Sequence, residues 1–107
     1  MRVGLFFTIL LLISNSYDGK AQSGEALFKS KGCAGCHSKG FDTFAPSLKT
    51  ISKSYFNRRG DLKNFLLGNS PGLIYKEPQT MKNIINNITK KLSHSELEAL
   101  TDYLLAH

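Results

Sequence analysis

The chain has 107 residues and a mass of 11.9 kDa, which favours one small domain over two. Hydrophobic residues make up 41% of it and charged residues 21%, a composition typical of a globular protein. It has two cysteines, and its 14 Lys and Arg against 8 Asp and Glu give a formal charge of +6. These figures exclude a large enzyme with its own substrate domain, a disulfide-rich scaffold and a polytopic membrane protein.

The N-terminal segment has the pattern of a secretory signal. The cationic start Met1-Arg2 precedes an apolar run from Val3 to Ile13, and a polar stretch follows at once. The apolar run is much shorter than the roughly 20 residues that span a bilayer, which disfavours an uncleaved anchor. Small residues predict cleavage after Ala21, and a second possible site lies after Ser16.

This pattern predicts the domain organisation and the compartment. We expect residues 1–21 to be a signal peptide and residues 22–107 to be the mature domain. The mature protein would then be exported, into the periplasm of a Gram-negative-type bacterium, with no stable membrane insertion after cleavage. A domain of this size often needs a disulfide, a metal or a bound group to stay folded.

Residues 33–37 read Cys-Ala-Gly-Cys-His, the C-x-x-C-H signature of covalent haem attachment. A single helical turn separates Cys33 from Cys36, which suits two thiols that must reach two vinyl groups of one porphyrin. His37 follows at once, and histidine is the usual proximal iron ligand, whose other ring nitrogen normally needs a hydrogen-bond acceptor. The motif predicts one covalent haem c on Cys33 and Cys36, with His37 as an axial ligand.

Three other interpretations of the cysteine pair fit less well. A thioredoxin-type dithiol expects a strand before the motif, whereas residues 23–32 have a helical pattern. A zinc site needs four ligands, and the chain offers its two cysteines and His37, His94 and His107 without the paired spacing of a zinc finger. A disulfide across two intervening residues would be strained and would close a very small loop.

With this motif in hand, residues 22–107 resemble a class I cytochrome c of the short bacterial type. Gly24 and Phe28 are similar to the family's N-terminal helix, in which a small residue lets the C-terminal helix cross closely. Leu100 and Tyr103 look like the matching face of that C-terminal helix. The resemblance implies an all-α fold of three to five helices wrapped around one covalently attached haem.

The segment Ala45-Pro46-Ser47-Leu48 is similar to the family's proximal loop. By that resemblance, the Pro46 carbonyl accepts the proton on the far ring nitrogen of His37. The family usually has glycine at the position of Ala45, so this chain departs from the family pattern there.

Met81 is the one methionine of the mature chain, and the resemblance implies that it is the sixth iron ligand. It lies in Pro78-Gln79-Thr80-Met81-Lys82, where we expect a proline-bearing loop that passes over the distal haem face. A thioether ligand raises the reduction potential relative to a second histidine. Many family members have a proline after the ligand methionine, and Lys82 departs from that pattern. The alternative is that Met81 only fills the core.

Two other histidines are rival ligands. His94 lies within Ser93-x-x-Glu96, a capping box that is expected to open the last helix and to leave His94 at the surface. His107 is the last residue of the chain, where fraying is expected.

Apolar stripes at helical spacing predict four further segments of the wrap, with Asp61 as a cap and Gly68 as a stop for the second of them. These segments are Thr50 to Phe56, Asp61 to Asn69, Lys82 to Leu92 and Glu96 to Leu105. Aromatic candidates for the wall of the haem pocket are Phe41, Phe44, Tyr55, Phe56 and Tyr75.

Five lysines lie near the attachment motif in the sequence: Lys29, Lys31, Lys39, Lys49 and Lys53. By the resemblance, electrons leave at the haem edge near the cysteines, so a basic collar there would steer acidic redox partners. The alternative is that these lysines only keep a small exported protein soluble. Export and the isolated pairs Arg58-Arg59 and Lys90-Lys91 argue against nucleic acid as a partner.

The sequence thus predicts a monomeric, soluble one-electron carrier rather than an enzyme, with histidine and methionine ligation and redox proteins as partners. Two alternatives remain open. One is a haem subunit of a larger oxidoreductase, for example a sulfur-oxidising complex. The other is a ligand-binding or peroxidatic haem protein with an open sixth position.

Overall fold

The computed structural model of the protein describes residues 23–74 and 79–107, and in these ranges it contains five α-helices and no strand. The helices are α1 (Gly24–Ser30), α2 (Leu48–Ser54), α3 (Arg59–Leu66), α4 (Gln79–Asn87) and α5 (His94–Leu104), with 3-10 turns at Cys33–Gly35 and Thr89–Lys91. The expected all-α fold is confirmed. In the described ranges no helix has the length and apolarity needed to cross a membrane. The expected signal peptide, residues 1–21, lies outside the described residues.

Three helices begin at serine caps, which explains where the chain turns helical. The Ser23 hydroxyl accepts a hydrogen bond from the Ala26 N–H at 3.1 Å, and the Ser47 hydroxyl accepts one from Thr50 at 3.1 Å. At α5, Ser93 and Glu96 form a full capping box, in which each side chain bonds the other residue's backbone N–H. The predicted box is confirmed. The Ser47 cap starts α2 two residues earlier than the apolar spacing indicated.

The bounds of α3, Arg59–Leu66, differ from the predicted Asp61 to Asn69, but the predicted stop at Gly68 is confirmed. Asp61 does not cap the helix, which begins at Arg59, because the Asp61 carboxylate pairs with the Arg58 guanidinium at 2.8 Å from within the first turn. At the other end Gly68 has φ +78°, a left-handed conformation that glycine adopts without steric cost. Its N–H bonds the carbonyl of Phe65, and the next N–H bonds that of Asn64, so Gly68 stops the helix as predicted.

Helix α4 covers different residues from those expected. The apolar stripe predicted a helix from Lys82 to Leu92, whereas α4 begins at Gln79 and ends at Asn87. Ile88 leaves helical geometry with φ −125° and ψ −71°, and the 3-10 turn Thr89–Lys91 follows. The buried Thr89 hydroxyl donates to the Leu66 carbonyl at 2.6 Å, so a contact with the end of α3 ends the regular helix.

Helices α1 and α5 cross closely at Gly24. A Cβ atom on Gly24 would lie 2.5 Å from Tyr103 Cβ and would also clash with the Ala99 carbonyl. The rings of Phe28 and Tyr103 pack beside this crossing with centroids 5.4 Å apart, and Leu100 is buried. The predicted helix crossing is therefore confirmed. The buried apolar residues of the described ranges are Leu27, Phe28, Leu48, Ile51, Tyr55, Leu62, Leu66, Ile85, Leu97, Leu100 and Leu104.

Ion pairs join α3 to α5, and hydrogen bonds join the end of the chain to α2. Arg59 of α3 pairs with both Glu98 and Asp102 of α5, and Lys63 pairs with Glu98. At the chain end, the His107 N–H donates to the Ser52 hydroxyl at 3.3 Å, and the Ser52 hydroxyl donates to the Leu105 carbonyl at 2.8 Å.

The expectation that His107 frays is wrong. Besides its backbone bond to α2, its ring packs edge-on against Tyr103 with a centroid distance of 4.9 Å. These contacts fix the last residues of the chain against α2 and α5.

Candidate functional site

A cavity of about 300 Å³ lies among the helices, and Cys33, Cys36, His37 and Met81 all line it. These four residues come from two separate parts of the chain: the motif at residues 33–37, which follows α1, and the first turn of α4. Most other residues of the lining are apolar: Phe28, Ile51, Tyr55, Leu62, Phe65, Leu66, Ile84, Leu100 and Leu104. The fold therefore brings the four residues singled out in the sequence to one apolar site.

The cysteines are held by a tight turn. The 3-10 turn Cys33–Gly35 is closed by hydrogen bonds from the N–H groups of Cys36, at 3.3 Å, and His37, at 3.0 Å, to the Cys33 carbonyl. Both thiols are free, with Cys33 partly buried and Cys36 exposed. Burial raises the pKa of the Cys33 thiol, so the neutral thiol is favoured there. The motif thus presents two thiols and an imidazole to the same cavity.

The His37 ring is oriented by the loop that follows it. Its Nδ1 lies 2.6 Å from the Pro46 carbonyl oxygen, so the predicted contact between these two groups is confirmed. A carbonyl oxygen only accepts hydrogen bonds, so Nδ1 carries a proton in this contact, and in the neutral ring of that tautomer the free lone pair is on Nε2. An imidazole held in this way is set up to bind a metal through Nε2.

Side chains of the proximal loop fix the Pro46 carbonyl in place. The Asp42 carboxylate accepts hydrogen bonds at 2.8 Å from the Ser47 N–H and from the Thr50 hydroxyl. The Thr43 hydroxyl donates to the Cys36 carbonyl at 3.2 Å. Ala45, which replaces the family's usual glycine, is partly buried and lines the cavity, so the loop accommodates its methyl group.

Met81 lies in a helix and not in a loop. It is the third residue of α4, is partly buried and lines the cavity. The expected loop is therefore wrong at Met81 itself, because the helix already begins at Gln79, whose side chain bonds that of Asn83 at 3.1 Å across the first turn. Pro78, on which the loop interpretation depended, lies outside the described residues.

The aromatic candidates fall into two groups. Phe44 and Tyr55 line the cavity, as expected. Phe41 and Phe56 do not, and their side chains are 71% and 72% exposed, so their assignment to the pocket wall is wrong. Phe41 lies in a polar loop, where helical spacing gives no information, and Phe56 lies beyond the end of α2 at Ser54, next to the buried Tyr55. Tyr75 lies outside the described residues.

The side chains of two polar residues in the lining form hydrogen bonds with backbone groups. The buried Tyr55 hydroxyl accepts a hydrogen bond from the Leu73 N–H at 3.1 Å, and Thr89 bonds the end of α3. Thr89 was not among the residues that the sequence identified. A single threonine between Ile88 and Lys90 carries no local signal of burial, because its partner lies in a different helix.

The geometry does not support the rival interpretations, in which the cysteines hold zinc or another histidine is the iron ligand. Across residues 23–74 and 79–107, no group of three or more His, Cys, Asp or Glu side chains is arranged to hold a metal ion. His94 is exposed, and neither His94 nor His107 lines the cavity. A zinc centre built on the two cysteines and these histidines is therefore not supported.

The residues at the cavity fit a covalently attached haem. Two thiols are available for thioether bonds, His37 offers Nε2, Met81 offers a thioether sulfur, and an apolar lining suits a porphyrin ring. When bound, such a haem supplies an iron that exchanges one electron between its ferrous and ferric states.

Comparison with known proteins agrees with this fit. Residues 21–107 match the family model described as Cytochrome c. A segment of 32 residues is 56% identical to a protein named cytochrome c-551 from Stutzerimonas stutzeri. That similarity covers 30% of this chain and 31% of the relative, so the relative is matched over less than a third of its length. The chain therefore belongs to the cytochrome c family, a class I member whose cofactor is a covalently attached c-type haem.

Proposed function

We propose that this protein is a monomeric, soluble one-electron carrier, in which Cys33 and Cys36 hold the haem and His37 and Met81 are the two axial iron ligands. The observation that carries this proposal is that one apolar cavity gathers all four side chains. The compartment is proposed from the N-terminal pattern: export after cleavage of residues 1–21, into the periplasm.

The proposed ligand pair suits electron transfer. The porphyrin would fill four positions of the iron, and two protein ligands would fill the other two. No position would then be left for a substrate, so the iron could change oxidation state without binding one. The hydrogen bond from His37 Nδ1 to the Pro46 carbonyl fixes the ring and makes Nε2 a better donor. The Met81 thioether favours the ferrous state and so raises the reduction potential.

The test of the ligand pair is the optical spectrum of the exported, haem-loaded protein in both oxidation states. We expect the ferric protein to show the far-red charge-transfer band of a sulfur–iron bond, and Met81→Ala to lose it. Ile84→Ala is the matched control, because Ile84 lies one turn further along α4 and lines the same cavity without offering a ligand. This control should keep the band.

The opposite result would assign a different function. If the native protein is high-spin and binds carbon monoxide rapidly, the sixth position is open. The carrier proposal then fails, and a ligand-binding or peroxidatic role takes its place. If the native protein is low-spin but lacks the band, another residue is the sixth ligand and Met81 is a core residue only.

The lysines near the attachment motif support acidic redox proteins as partners. All five are exposed in the structure. Lys29 pairs with Glu25 at 3.4 Å, whereas Lys31, Lys39, Lys49 and Lys53 form no ion pair with the part of the chain that the structure describes. Such charges raise the association rate with an acidic surface, and added salt screens them. The rate of electron exchange with an acidic redox protein should therefore fall with rising ionic strength, and a salt-independent rate would contradict this.

A further inference from the structure

The peptide group that joins Pro46 to Ser47 is hydrogen-bonded on both sides. Its carbonyl oxygen lies 2.6 Å from His37 Nδ1, and its N–H donates to Asp42 Oδ1 at 2.8 Å. The C=O and N–H of a trans peptide point in opposite directions from one planar group. A continuous chain of hydrogen bonds therefore runs from the Asp42 carboxylate through this peptide group to the imidazole of His37.

Neighbouring side chains hold both ends of this chain. The Thr50 hydroxyl donates to Asp42 Oδ1 at 2.8 Å, which fixes the carboxylate. The Thr43 hydroxyl donates at 3.2 Å to the Cys36 carbonyl, which belongs to the peptide group that leads into His37. Ser47 is 1% exposed, so little of its N–H reaches water. The arrangement is thus fixed at the carboxylate, at the central peptide group and at the backbone of the imidazole.

Hydrogen bonds in such a chain polarise one another. A charged acceptor on the N–H side of a peptide group shifts electron density toward its carbonyl oxygen, which then accepts more strongly. A stronger acceptor at Nδ1 gives the imidazole more anionic character and makes Nε2 a stronger donor to a metal. A more strongly donating ligand stabilises ferric over ferrous iron. The negative charge of Asp42 therefore favours the ferric state.

We propose that Asp42 is a positioning residue that lowers the reduction potential of the haem iron by polarising the Pro46–Ser47 peptide group and, through it, His37. Asp42 acts in the opposite sense to the proposed Met81 ligand, whose thioether raises the potential. This inference rests on the proposed function, in which His37 is an iron ligand.

The alternative is that the Asp42 charge acts on the iron only through space. Asp42 is exposed, and the field of an exposed charge is screened by water and by salt. Polarisation along buried hydrogen bonds is carried by the bonds themselves and is not removed by added salt. The salt dependence of the effect therefore distinguishes the two explanations.

The experiment uses Asp42→Asn in the exported, haem-loaded protein. Asparagine keeps an oxygen that can accept from the Ser47 N–H and the Thr50 hydroxyl, so the substitution removes the charge and leaves the contacts. We expect the ratio of ferrous to ferric protein at a fixed ambient potential to rise about threefold, which is about 28 mV for a one-electron couple. The rise should persist at about 1 M salt.

Two control variants separate the charge of Asp42 from other effects. Asp61→Asn makes the same chemical change at an exposed residue of α3 that pairs with Arg58, and we expect a much smaller change that vanishes at high salt. Thr50→Val removes one of the hydrogen bonds that hold Asp42 but keeps its charge and its bond to Ser47. This variant should keep the potential of wild type.

A second measurement reports on His37 directly. In the ferrous, low-spin protein, the nuclear magnetic resonance signal of the Nδ1 proton moves upfield when its hydrogen bond weakens. We expect this signal to move upfield in Asp42→Asn and to stay in place in Asp61→Asn. A role for Asp42 in holding the loop alone would leave the signal unchanged in Asp42→Asn, because asparagine keeps the contacts.

Several results would overturn the inference. The first is an unchanged potential or an unchanged Nδ1 signal in Asp42→Asn. The second is an equal shift in Asp61→Asn, or a shift that disappears at high salt, either of which would assign the effect to charge acting through space. The third is an equal shift in Thr50→Val, which would assign it to the fixing of the loop. A high-spin wild type that binds carbon monoxide would instead contradict the electron-carrier function. The comparison of Asp42→Asn with wild type would still test the inference, because it concerns only the His37 ligand.

Discussion

The walls of the haem cavity contain polar side chains that are matched to backbone groups. Thr89 is 2% exposed, and its hydroxyl donates to the carbonyl of Leu66, the last residue of α3. Carbonyls in the last turn of a helix have no helical partner, so this side chain supplies one. In the segment after α3, the Tyr55 hydroxyl accepts a hydrogen bond from the Leu73 N–H. Each pair fixes a piece of backbone beside the cavity without leaving a buried polar group unsatisfied.

Removing the Thr89 hydroxyl should destabilise the protein. Thr89→Val keeps the shape of the side chain but leaves the Leu66 carbonyl buried without this donor, at a cost of about 1–2 kcal/mol in the free energy of unfolding. Urea unfolding of the haem-loaded protein measures this. Thr101→Val is the control: Thr101 is also buried, but its hydroxyl bonds the Leu97 carbonyl within α5, which the helix already bonds. Equal losses in the two variants would contradict the assignment.

The sequence was most informative about the site at the level of single residues. The C-x-x-C-H motif is local, so Cys33, Cys36 and His37 could be located without knowledge of the fold, and the structure brings them to one cavity. Thr89 could not be located, because its burial depends on a partner 23 residues away. The same limit applies to Phe41, whose exposure follows from a loop conformation that no periodicity encodes.

At the scale of helices, the crossing of α1 and α5 depends on the missing side chain of Gly24. A Cβ atom there would meet the Ala99 carbonyl and Tyr103 Cβ, which belong to a rigid helix and cannot move aside easily. Small residues are needed where two helix backbones come this close. The Phe28 and Tyr103 rings pack beside the crossing and link it to the cavity, because Phe28 also lines the haem site.

Gly24→Ala should therefore push the two helices apart. We expect it to lower the free energy of unfolding by about 1–3 kcal/mol, the usual cost of overpacking. Gly60→Ala makes the same chemical change inside α3, where a Cβ meets no atom within 4 Å. Alanine is the better helix former, so this control should stabilise by about 0.5–1 kcal/mol. Denaturant unfolding of both variants tests whether the free energy of unfolding changes in opposite directions. A stabilising Gly24→Ala would refute the close crossing.

The ion pairs between α3 and α5 should make stability depend on pH in the acid range. Hydrogen bonds from Lys63 and then Arg59 lower the pKa of the Glu98 carboxyl to about 2. The folded state therefore binds fewer protons than the unfolded state between pH 4.5 and 2, and the stabilisation by Glu98 is lost as pH falls through that window. Hydrogen bonds from Ser93 also lower the pKa of Glu96, which adds to the same slope.

Melting temperatures measured from pH 5 to pH 2 test this contribution. We expect Glu98→Gln to flatten the fall in melting temperature relative to wild type, with the remaining slope in part from Glu96. Glu25→Gln is the control, because it removes the same charge from an exposed pair on α1, away from the α3–α5 contact. A wild-type slope in Glu98→Gln would show that the ion pairs seen between the two helices do not contribute to stability.

Helix boundaries could be predicted only where the signal is local. The capping box at Ser93 and the glycine stop at Gly68 are properties of adjacent residues, and the structure has both. The start of α3 was misplaced because the carboxylate of Asp61 pairs with Arg58 and does not cap. The end of α4 was misplaced because the contact of Thr89 with α3 interrupts an apolar stripe that continues beyond it.

For the whole molecule, the cavity occupies the middle of the apolar core. Seven of the buried apolar residues in the described ranges also line it: Phe28, Ile51, Tyr55, Leu62, Leu66, Leu100 and Leu104. All five described helices contribute to the lining besides the attachment turn, so they meet at the haem site. The all-α wrap was predictable because a domain this small has one core, and the attachment motif indicates what fills it. The packing partners of each helix were not predictable, because they depend on which residues pack around the haem.

The whole fold should consequently depend on haem attachment. Without the haem, the apolar side chains that line a cavity of about 300 Å³ lose their main packing partner, and a domain this small has little stability to spare. We expect the double variant Cys33→Ala/Cys36→Ala, exported without haem, to show little helical signal in far-ultraviolet circular dichroism at 25 °C. The haem-loaded wild type, purified identically, gives the reference signal. A haem-free variant that keeps this signal and unfolds cooperatively would show that the helices pack without the haem, and the cavity would then be a preformed pocket in an independently stable domain.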